Sequence, residues 1–247
     1  MKSLLIALQF LTRIPVPVKN CTPEQVRASI YWYGAAGLAI GVILLAAQTL
    51  LLWLLPWDAD AAVAALLLTL WVLLTGALHL DGLADSADAW LGGHGDREKS
   101  LAIMKDPQSG PAGVIAIVLV LLLKFSLILY LQQHQQLFYL LLVPMLARAM
   151  MPFLFLFTHY VREEGLGSPF AERLAVEKML PGLVIAVVAG VLLSGLFWLV
   201  AVALALAVFI AARALMMKRI GGTTGDTAGA LIELLEVTLL LGCIFIE

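Results

Sequence analysis

Residues 61–90 read AAVAALLLTLWVLLTGALHLDGLADSADAW, a long apolar run that ends in three aspartates. The apolar part, 61–80, is long enough to cross a hydrocarbon core of about 30 Å, which takes about 20 helical residues. If the acidic part is helical, Asp81, Asp85 and Asp88 lie at i, i+4 and i+7, within an arc of about 60° on one face. The stretch therefore predicts a membrane helix that carries three negative charges together, with His79 roughly opposite them on the helical wheel.

The composition of the whole chain is that of a polytopic membrane protein. Of its 247 residues 62% are hydrophobic and 13% are charged, and the mean hydropathy is +1.01. Soluble domains are only about half apolar. The run 181–217 is too long for one helix, and we expect it to divide near Ser194-Gly195. We therefore predict a single all-α domain, 1–247, with seven transmembrane spans that follow the apolar runs 34–55, 61–80, 111–131, 137–158, 181–217 and 227–246.

The positive residues indicate the orientation of these spans, because cytoplasmic loops retain Lys and Arg. The loops 56–60 and 132–136 contain neither. If residue 33 lies inside, the cytoplasmic side contains Lys2, Arg13, Lys19, Arg27, Arg97, Lys99, Lys105, Arg162, Arg173, Lys178, Lys218 and Arg219. This parity requires two crossings in 181–217 and places the C-terminus outside. We expect the chain in the bacterial cytoplasmic (inner) membrane, with its acidic stretches facing the cytoplasm.

The N-terminal stretch 1–18 is apolar but short and ends in two prolines, which suits an interfacial or re-entrant helix better than a span. It lacks a small-residue cleavage site, so no cleavable signal peptide is predicted. Arg13 is interpreted as a snorkelling anchor in preference to a phosphate contact. Cys21 and Cys243 lie on opposite sides of the membrane in this topology, and no disulfide is predicted.

The three aspartates of 79–90 indicate a metal site. Like charges at helical spacing repel one another, so the arrangement needs a compensating charge, and a divalent cation with oxygen ligands is the simplest. We predict that Asp81, Asp85 and Asp88 bind one or two Mg²⁺ ions. The alternative is an acidic, solvated helix start that favours the macrodipole, but three aspartates on one stripe exceed what capping requires.

Two further predictions concern catalysis and anion binding near this stripe. Asp88, furthest along it, is the candidate general base, and Asp85 is a further catalytic candidate. The glycine-rich, charged loop 91–113 supplies Arg97 and Lys105 as candidate phosphate clamps, and Lys105 is also a catalytic candidate. A solvated charged loop is the alternative explanation for either residue alone.

A second informative stretch, residues 218–236, reads KRIGGTTGDTAGALIELLE. Glycines and hydroxyl residues there resemble a backbone nest that opens a helix and binds an anion. The nest consists of Gly221, Gly222, Thr223, Thr224 and Gly225.

The helix that follows this nest carries three carboxylates, Asp226, Glu233 and Glu236, within about 80°. Lys124 and Arg148 lie far inside the third and fourth spans, where charge is expensive, so each is expected to face the interior and pair with a carboxylate or a substrate anion. The three carboxylates are either further metal ligands or partners of these two cations. The sequence leaves both alternatives open.

Four motifs together are specific for one family. They are Phe10-Leu11-Thr12-Arg13-Ile14-Pro15-Val16-Pro17, His79-Leu80-Asp81-Gly82-Leu83-Ala84-Asp85 with Asp88, Met104-Lys105-Asp106, and Gly221-Gly222-Thr223-Thr224-Gly225-Asp226. On these residues the chain resembles, over its whole length, the cobalamin synthase family of adenosylcobinamide-GDP ribazoletransferases.

The resemblance implies an integral membrane enzyme that requires Mg²⁺. It would join α-ribazole or its 5′-phosphate to adenosylcobinamide-GDP in late vitamin B12 biosynthesis, with a ribazole hydroxyl attacking the corrinoid-side phosphorus and GMP leaving. Arg97, Lys105 and the amides of 221–225 would bind the pyrophosphate. The expected partners are these two substrates and the lipid bilayer, without nucleic acid, and the oligomeric state is left open.

Two other functions remain as alternatives. Phospholipid phosphotransferases of the CDP-alcohol type also use aspartates in an Asp-Gly motif, but here Ala-Arg does not follow the Asp-Gly and the aspartates are more tightly spaced. A secondary transporter would explain intramembrane Lys, Arg and Glu. Its usual sign is an internal repeat with broken helices at matching positions, and no such repeat is recognised in the sequence.

Overall fold

The computed structural model describes residues 1–56, 58–162 and 174–245, and helices dominate these ranges. A 3₁₀ turn, Ile30–Trp32, joins the second helix to the third. The α-helices are Lys2–Leu11 (α1), Pro23–Ser29 (α2), Tyr33–Leu54 (α3), Asp60–Thr75 (α4), Leu78–Gly92 (α5), Arg97–Ile103 (α6), Pro111–Gln133 (α7), Tyr139–Ala149 (α8), Met151–Phe157 (α9), Val176–Ser194 (α10), Trp198–Ile220 (α11) and Gly225–Ile244 (α12).

The predicted all-α membrane bundle is confirmed. In the described part of the chain six helical segments are long and apolar enough to cross a membrane, and the bent pair α4–α5 makes seven. The run 181–217 divides as expected, because α10 ends at Ser194 and Gly195 has a φ of 75°. With 10 residues, α1 is too short to span, which agrees with the prediction for the N-terminal stretch.

The second apolar run differs from the prediction because it is not one continuous helix. Gly76 and Ala77 have φ values of 61° and 56°, and α5 leaves α4 at an angle of 85°. Two successive left-handed residues cannot continue a right-handed helix, so the span breaks there. The N–H of Arg13 donates to the carbonyl of Leu74 at 2.7 Å, and a Cβ on Gly76 would collide with the Arg13 side chain. Arg13 thus covers the break.

The centre of the bundle is formed by α8–α9 and by α12. In both, 72% of the most apolar stretch is buried, against 17–28% in the spans that contain α3, α7, α10 and α11. The helix α3 approaches α8 closely, since a Cβ on Gly41 would lie 2.7 Å from the carbonyl oxygen of Leu140. The helix α12 packs against α5, α7, α8 and α11. Large apolar side chains on α10 and α11, such as Leu192 and Ile210, are exposed, as expected for lipid contact.

The two ends of the bundle differ in charge. At one end Arg97 Nε donates to the last carbonyl of α11 at 2.9 Å, and Arg162 donates to the carbonyl of Met104 at 3.3 Å. At the other end Gln132 Nε2 donates to Asp60 Oδ1 at 3.2 Å. The loops rich in Lys and Arg therefore meet at one end, and the two loops without them meet at the other.

Candidate functional site

A cavity with an empty volume of about 740 Å³, continuous with solvent, lies where α1, α5, α9 and α12 meet. It is at the end of the bundle that contains the positive loops. Charged residues line one part of it and aromatic residues another. The charged ones are Asp81, Arg162 and Asp226, and the aromatic ones are Phe10, Tyr33, Phe155 and Tyr160.

Close packing of α5 against α12 brings two of the predicted carboxylates to this cavity. A Cβ on Gly82 would lie 2.6 Å from the carbonyl oxygen of Asp226, so only glycine permits this approach. Asp81, one residue before this contact, is exposed, and Asp226 is partly buried. The Asp-Gly pair of α5 therefore has a structural explanation. The aspartate lines the cavity, and the glycine lets α12 pack closely against α5.

Asp85 lies one turn further along α5 and is partly buried. Negative charge on Asp81 and Asp226 repels its carboxylate, and the guanidinium of Arg162 attracts it. Asp81, Arg162 and Asp226 line the cavity, and Asp85 lies behind them without being part of the wall; these four side chains are called the cavity cluster below. With three carboxylates and one guanidinium, the cavity cluster carries a net negative charge.

Arg162 is a member of the site that the sequence reasoning did not identify. Its Nη2 contacts Asp226 Oδ2 at 2.5 Å, and the two side chains are only 19% and 20% exposed. Its Nε is buried without a hydrogen-bond partner among the residues that the structure describes. Arg162 also lines the cavity, so it is a cation that the wall offers to an anionic ligand.

The backbone of 159–161 explains how Arg162 reaches the cavity. This segment pairs with the glycine-rich loop: Thr223 donates to the carbonyl of His159 at 2.8 Å, and Val161 donates to that of Thr223 at 3.0 Å. Nothing in the spacing of the sequence connects these two segments. The mixed charges of 159–180 predict a solvated loop that could act as a lid, and residues 163–173 of it lie outside the described part of the chain.

The glycine-rich loop itself serves mainly as a scaffold, which differs from the predicted nest of free amides. Thr224 caps α12, and Gly225 lines the cavity, whereas Gly222 is buried. Several of the amides already donate to protein acceptors: Gly221 to Met217 (3.1 Å), Thr223 to His159 (2.8 Å) and Thr224 to Thr227 (2.9 Å). The geometry thus favours a loop that holds α12 and the 159–161 segment in place.

Asp88 is turned away from the cavity, towards the start of α7. Its two carboxylate oxygens accept the N–H groups of Gly110 at 2.7 Å and Gly113 at 2.9 Å. These are orphan donors of a helix N-terminus, and a carboxylate is the favoured partner there. The geometry favours a capping role for Asp88 over the predicted roles of metal ligand and general base.

The deep charges form a closed group, called the buried quartet below: Lys124, Arg148, Glu233 and Glu236. Lys124 Nζ contacts Glu233 Oε2 at 2.7 Å and also Glu236 Oε2, and Arg148 Nη1 contacts Glu236 Oε1 at 2.5 Å. Their side chains are at most 4% exposed. Of the two alternatives left open by the sequence, the geometry favours mutual pairing over metal or substrate binding, because the four charges already balance.

His79 lies between the buried quartet and the cavity, rather than simply opposite the aspartates. It is 2% exposed and lines the cavity, and its Nδ1 lies 3.5 Å from Arg148 Nη2. The helical wheel predicts the direction of this side chain, but it does not predict that Arg148 lies next to it.

The two predicted phosphate clamps, Arg97 at the start of α6 and Lys105 shortly after its end, are not part of the cavity wall. Arg97 uses its Nε to bind the carbonyl of Ile220 at 2.9 Å, which anchors α6 to the end of α11. Lys105 is exposed, and it directly follows Met104, whose carbonyl accepts from Arg162. The cavity wall itself therefore offers a different cation, Arg162, for an anionic ligand.

The cavity cluster offers oxygen donors of the kind that Mg²⁺ takes. Among the described residues no group of three His, Cys, Asp or Glu side chains could hold a metal ion by itself. Mg²⁺ commonly takes one or two carboxylates, with water and substrate phosphates completing its octahedron. Asp81 and Asp226 supply hard oxygen donors from two helices on one cavity, which is the donor type that Mg²⁺ prefers.

Comparison with known proteins identifies the family. The family model described as cobalamin-5-phosphate synthase matches residues 3–244. Three similar proteins carry the name adenosylcobinamide-GDP ribazoletransferase. They come from Ectopseudomonas mendocina (52% identity, covering 96% of both chains), Pseudomonas fluorescens strain Pf0-1 (51%, 98% of both) and Stutzerimonas stutzeri (52%, 98% of this chain and 97% of the relative). No solved structure matches the chain. The resemblance inferred from the four motifs is confirmed, and the chain belongs to the cobalamin-5-phosphate synthase family.

Proposed function

We propose that this chain joins α-ribazole or its 5′-phosphate to adenosylcobinamide-GDP and releases GMP, which gives adenosylcobalamin or its 5′-phosphate. The names of relatives about half identical over nearly the whole chain support this activity. The structural observation that carries the proposal is the cavity in which Asp81, Arg162 and Asp226 adjoin aromatic walls. Such a surface suits a phosphate-bearing ligand with a flat apolar part.

The reaction requires one proton acceptor and stabilisation of phosphate charge. A ribazole hydroxyl oxygen forms a bond to the corrinoid-side phosphorus, the bond from that phosphorus to the bridging oxygen breaks, and GMP leaves with that oxygen and its electron pair. We assign the hydroxyl proton to Asp85, which lies one turn after Asp81 on the same face of α5. Arg162 would bind the non-bridging phosphate oxygens, held in orientation by Asp226.

We also propose that the enzyme requires Mg²⁺, held by Asp81 and Asp226. When bound, the ion would neutralise phosphate charge, which is the main requirement of phosphoryl transfer. Gly82 serves this role indirectly, since it lets the two carboxylates approach from separate helices. Asp88, with both oxygens on α7 amides, is left out of the chemistry.

The cavity is proposed to open to the cytoplasm, where nucleotide-activated substrates are found, because it lies at the end with the Lys- and Arg-rich loops. Replace Cys21 and Cys243 by alanine, introduce His94→Cys or, as the matched reporter at the other end, Asp58→Cys, and label intact cells with a membrane-impermeant maleimide. We expect Asp58→Cys to react before lysis and His94→Cys only after it. The reverse order would overturn the proposed orientation.

The activity itself is tested with purified protein in nanodiscs. GMP release is measured with adenosylcobinamide-GDP, α-ribazole phosphate and Mg²⁺ together, and with each of the three left out. We expect release only from the complete mixture, with loss in EDTA and recovery on adding Mg²⁺. Release that does not depend on the ribazole would indicate a hydrolase, and no release at all would contradict the proposal.

A further inference from the structure

An apolar groove, separate from the candidate site, lies where α8–α9, α10 and α11 meet. The described residues that line it are all leucine, valine, methionine or phenylalanine. All of these helices contribute to the wall, for example through Phe153, Leu183, Val187, Val202 and Phe209. Two other residues of the wall, Phe157 and Leu206, are 59% and 50% exposed. The groove is therefore open to the outer surface of the bundle, where lipid chains lie.

The groove lies beyond the point where α10 and α11 are in close contact. Trp198 packs against Gly190, since a Cβ on Gly190 would lie 2.0 Å from Trp198 Nε1. Closer to the start of α10, Leu183 and Val187 line the groove instead. Atoms that line an empty space lose dispersion contacts. In a bilayer a hydrocarbon chain is the group that can restore these contacts in a groove open to lipid.

Arg213 lies at the end of the groove that is nearer the positive loops. Val202, Phe209 and Arg213 are at i, i+7 and i+11 on α11 and share one of its faces. Arg213 Nη2 donates to the carbonyl of Phe157, a residue of the groove wall, at 2.5 Å. Its Nε donates to Thr158 Oγ1 at 3.0 Å. These two bonds hold the guanidinium beside the groove.

The charge of Arg213 is not balanced by the residues that the structure describes. Both of its acceptors are neutral, and none of the ion pairs in the described part of the chain includes it. A charge inside a membrane span favours an anionic partner. The planar guanidinium has five N–H donors, in a geometry that suits a phosphate. The groove and Arg213 together therefore suit a ligand that combines a hydrocarbon chain with a phosphate.

The length of the groove fits a lipid of one leaflet. Eleven residues separate Val202 from Arg213, about 16 Å at 1.5 Å per residue. Half of a hydrocarbon core of about 30 Å is about 15 Å. We propose that the groove binds one acyl chain of an anionic phospholipid of the phosphatidylglycerol type, with its phosphate on Arg213. A headgroup with its own ammonium is disfavoured, because that ammonium already balances the phosphate. This site lies outside the proposed catalytic cavity, and binding to it does not depend on the proposed function.

The test is native mass spectrometry of the full-length protein released from detergent micelles. The protein is titrated with phosphatidylglycerol or with phosphatidylcholine that has identical chains. The wild type is compared with Arg213→Gln, which removes the charge, and with Val187→Phe, which fills the groove. Lys218→Gln, on an exposed lysine of α11, is the control for the first variant. Val188→Phe, on an exposed valine of α10 outside the described groove wall, is the control for the second.

We expect the wild type to bind the first phosphatidylglycerol about 5-fold more tightly than the first phosphatidylcholine, as one cation near a membrane surface provides. In Arg213→Gln this preference falls to within about 2-fold, and Lys218→Gln retains it. In Val187→Phe the affinity for both lipids falls about 10-fold, because the phenyl ring occupies the space of the acyl chain. Val188→Phe stays within about 2-fold of the wild type.

Equal binding of the two lipids by the wild type would overturn the proposal, as would an Arg213→Gln variant that keeps the preference. Displacement of the lipid by glycerophosphoglycerol, the headgroup without chains, would indicate a plain anion site and would also overturn it. A lipid-free dimer that Val187→Phe separates would make a second copy of the chain the occupant, against the proposal. If thermal unfolding shows that Val187→Phe does not fold, Arg213→Gln and the displacement experiment decide the question.

Discussion

The cavity cluster and the buried quartet use the same kinds of residue in opposite ways. Both combine aspartate or glutamate with arginine or lysine on helices of a membrane bundle. In the buried quartet the charges balance, and its side chains are at most 4% exposed. In the cavity cluster three carboxylates face one guanidinium, and Asp81 is exposed to solvent.

The difference shows that charge balance and exposure, rather than charge in an apolar helix, separate a binding site from a structural one. In a buried group whose charges balance, each charge is already paired and none is available to a ligand. Removing one member leaves its partner as an uncompensated buried charge. An exposed group with excess negative charge gains from a cation, and one arginine beside it gains from a phosphate. The following predictions test this contrast.

The largest effect is expected for Asp81→Asn. The variant keeps the shape of the side chain but removes a proposed metal ligand, so kcat/KM for GMP release should fall by about 10³–10⁴-fold, which is about 4–5.5 kcal/mol of transition-state stabilisation. Its thermal stability should match that of the wild type. Asp58→Asn, at the other end of the bundle, is the matched control and should retain full activity. Normal Mg²⁺-dependent turnover in Asp81→Asn would remove the cavity cluster from the mechanism.

The buried quartet should respond in stability. Lys124→Met leaves Glu233 and Glu236 buried with one cation fewer, and it also removes the contact of Lys124 with the Trp71 ring at 4.8 Å. We expect a loss of about 3–5 kcal/mol in the free energy of unfolding, measured by denaturant titration in mixed micelles.

A second substitution sharpens this test. Adding Glu233→Gln to Lys124→Met removes one of the uncompensated charges and should recover part of the loss. Lys99→Met, on an exposed lysine of α6, is the control and should change the unfolding free energy by less than about 0.5 kcal/mol. An unchanged stability in Lys124→Met would mean that the buried quartet is not structural.

An intermediate effect is expected where α5 meets α12. In Gly82→Ala the new methyl group would meet the Asp226 backbone, and the helices must separate. We expect a loss of about 1–3 kcal/mol in stability and a decrease of about 10²-fold in kcat, because the carboxylates shift by a fraction of an ångström to an ångström. The control is Gly182→Ala, since a Cβ on Gly182 has no atom within 4 Å. Equal behaviour of the two variants would contradict the proposed role of this contact.

The smallest effect is expected for Asp88→Asn. This variant tests whether Asp88 caps α7, as its contacts indicate, or acts as the general base, as the sequence predicts. The amide keeps one acceptor oxygen and loses the other, so stability should fall by about 1 kcal/mol, as followed by thermal unfolding. GMP release should stay within about 3-fold of the wild type, because a lost cap displaces nothing in the cavity. A decrease of more than 100-fold, with an altered pH–rate profile, would restore Asp88 as the general base.

Features that depend on local sequence could be predicted. Span number follows from apolar length, and the division after Ser194 follows from a run too long for one helix with a glycine in its middle. The common face of Asp81 and Asp85 follows from helical periodicity. The break at Gly76 could not be predicted, because nothing in the residue type of Ala77 shows that its φ is positive.

Features that depend on distant contacts could not be assigned from sequence. In the sequence Arg162 looks like any solvated arginine. Its place at the cavity depends on the pairing of the 159–161 backbone with Thr223, which the sequence does not show. Asp88 lies on the same helical face as Asp81. Only the structure shows that its carboxylate accepts hydrogen bonds from the start of α7. The sequence reasoning could narrow Glu233 and Glu236 to two roles, but choosing between them required knowing how far Lys124 reaches.

The low burial of α10 has a consequence for handling the protein. Only 17% of its most apolar stretch is covered by other helices, so most of its surface is solvated by lipid chains. Trp198 of its hairpin partner α11 packs against Gly190 of α10. Because helices in a bilayer associate without a hydrophobic driving force between them, a short-chain detergent should detach α10 before the rest of the bundle. Extraction in long-chain detergent with added phospholipid is therefore the preferred route to an intact enzyme.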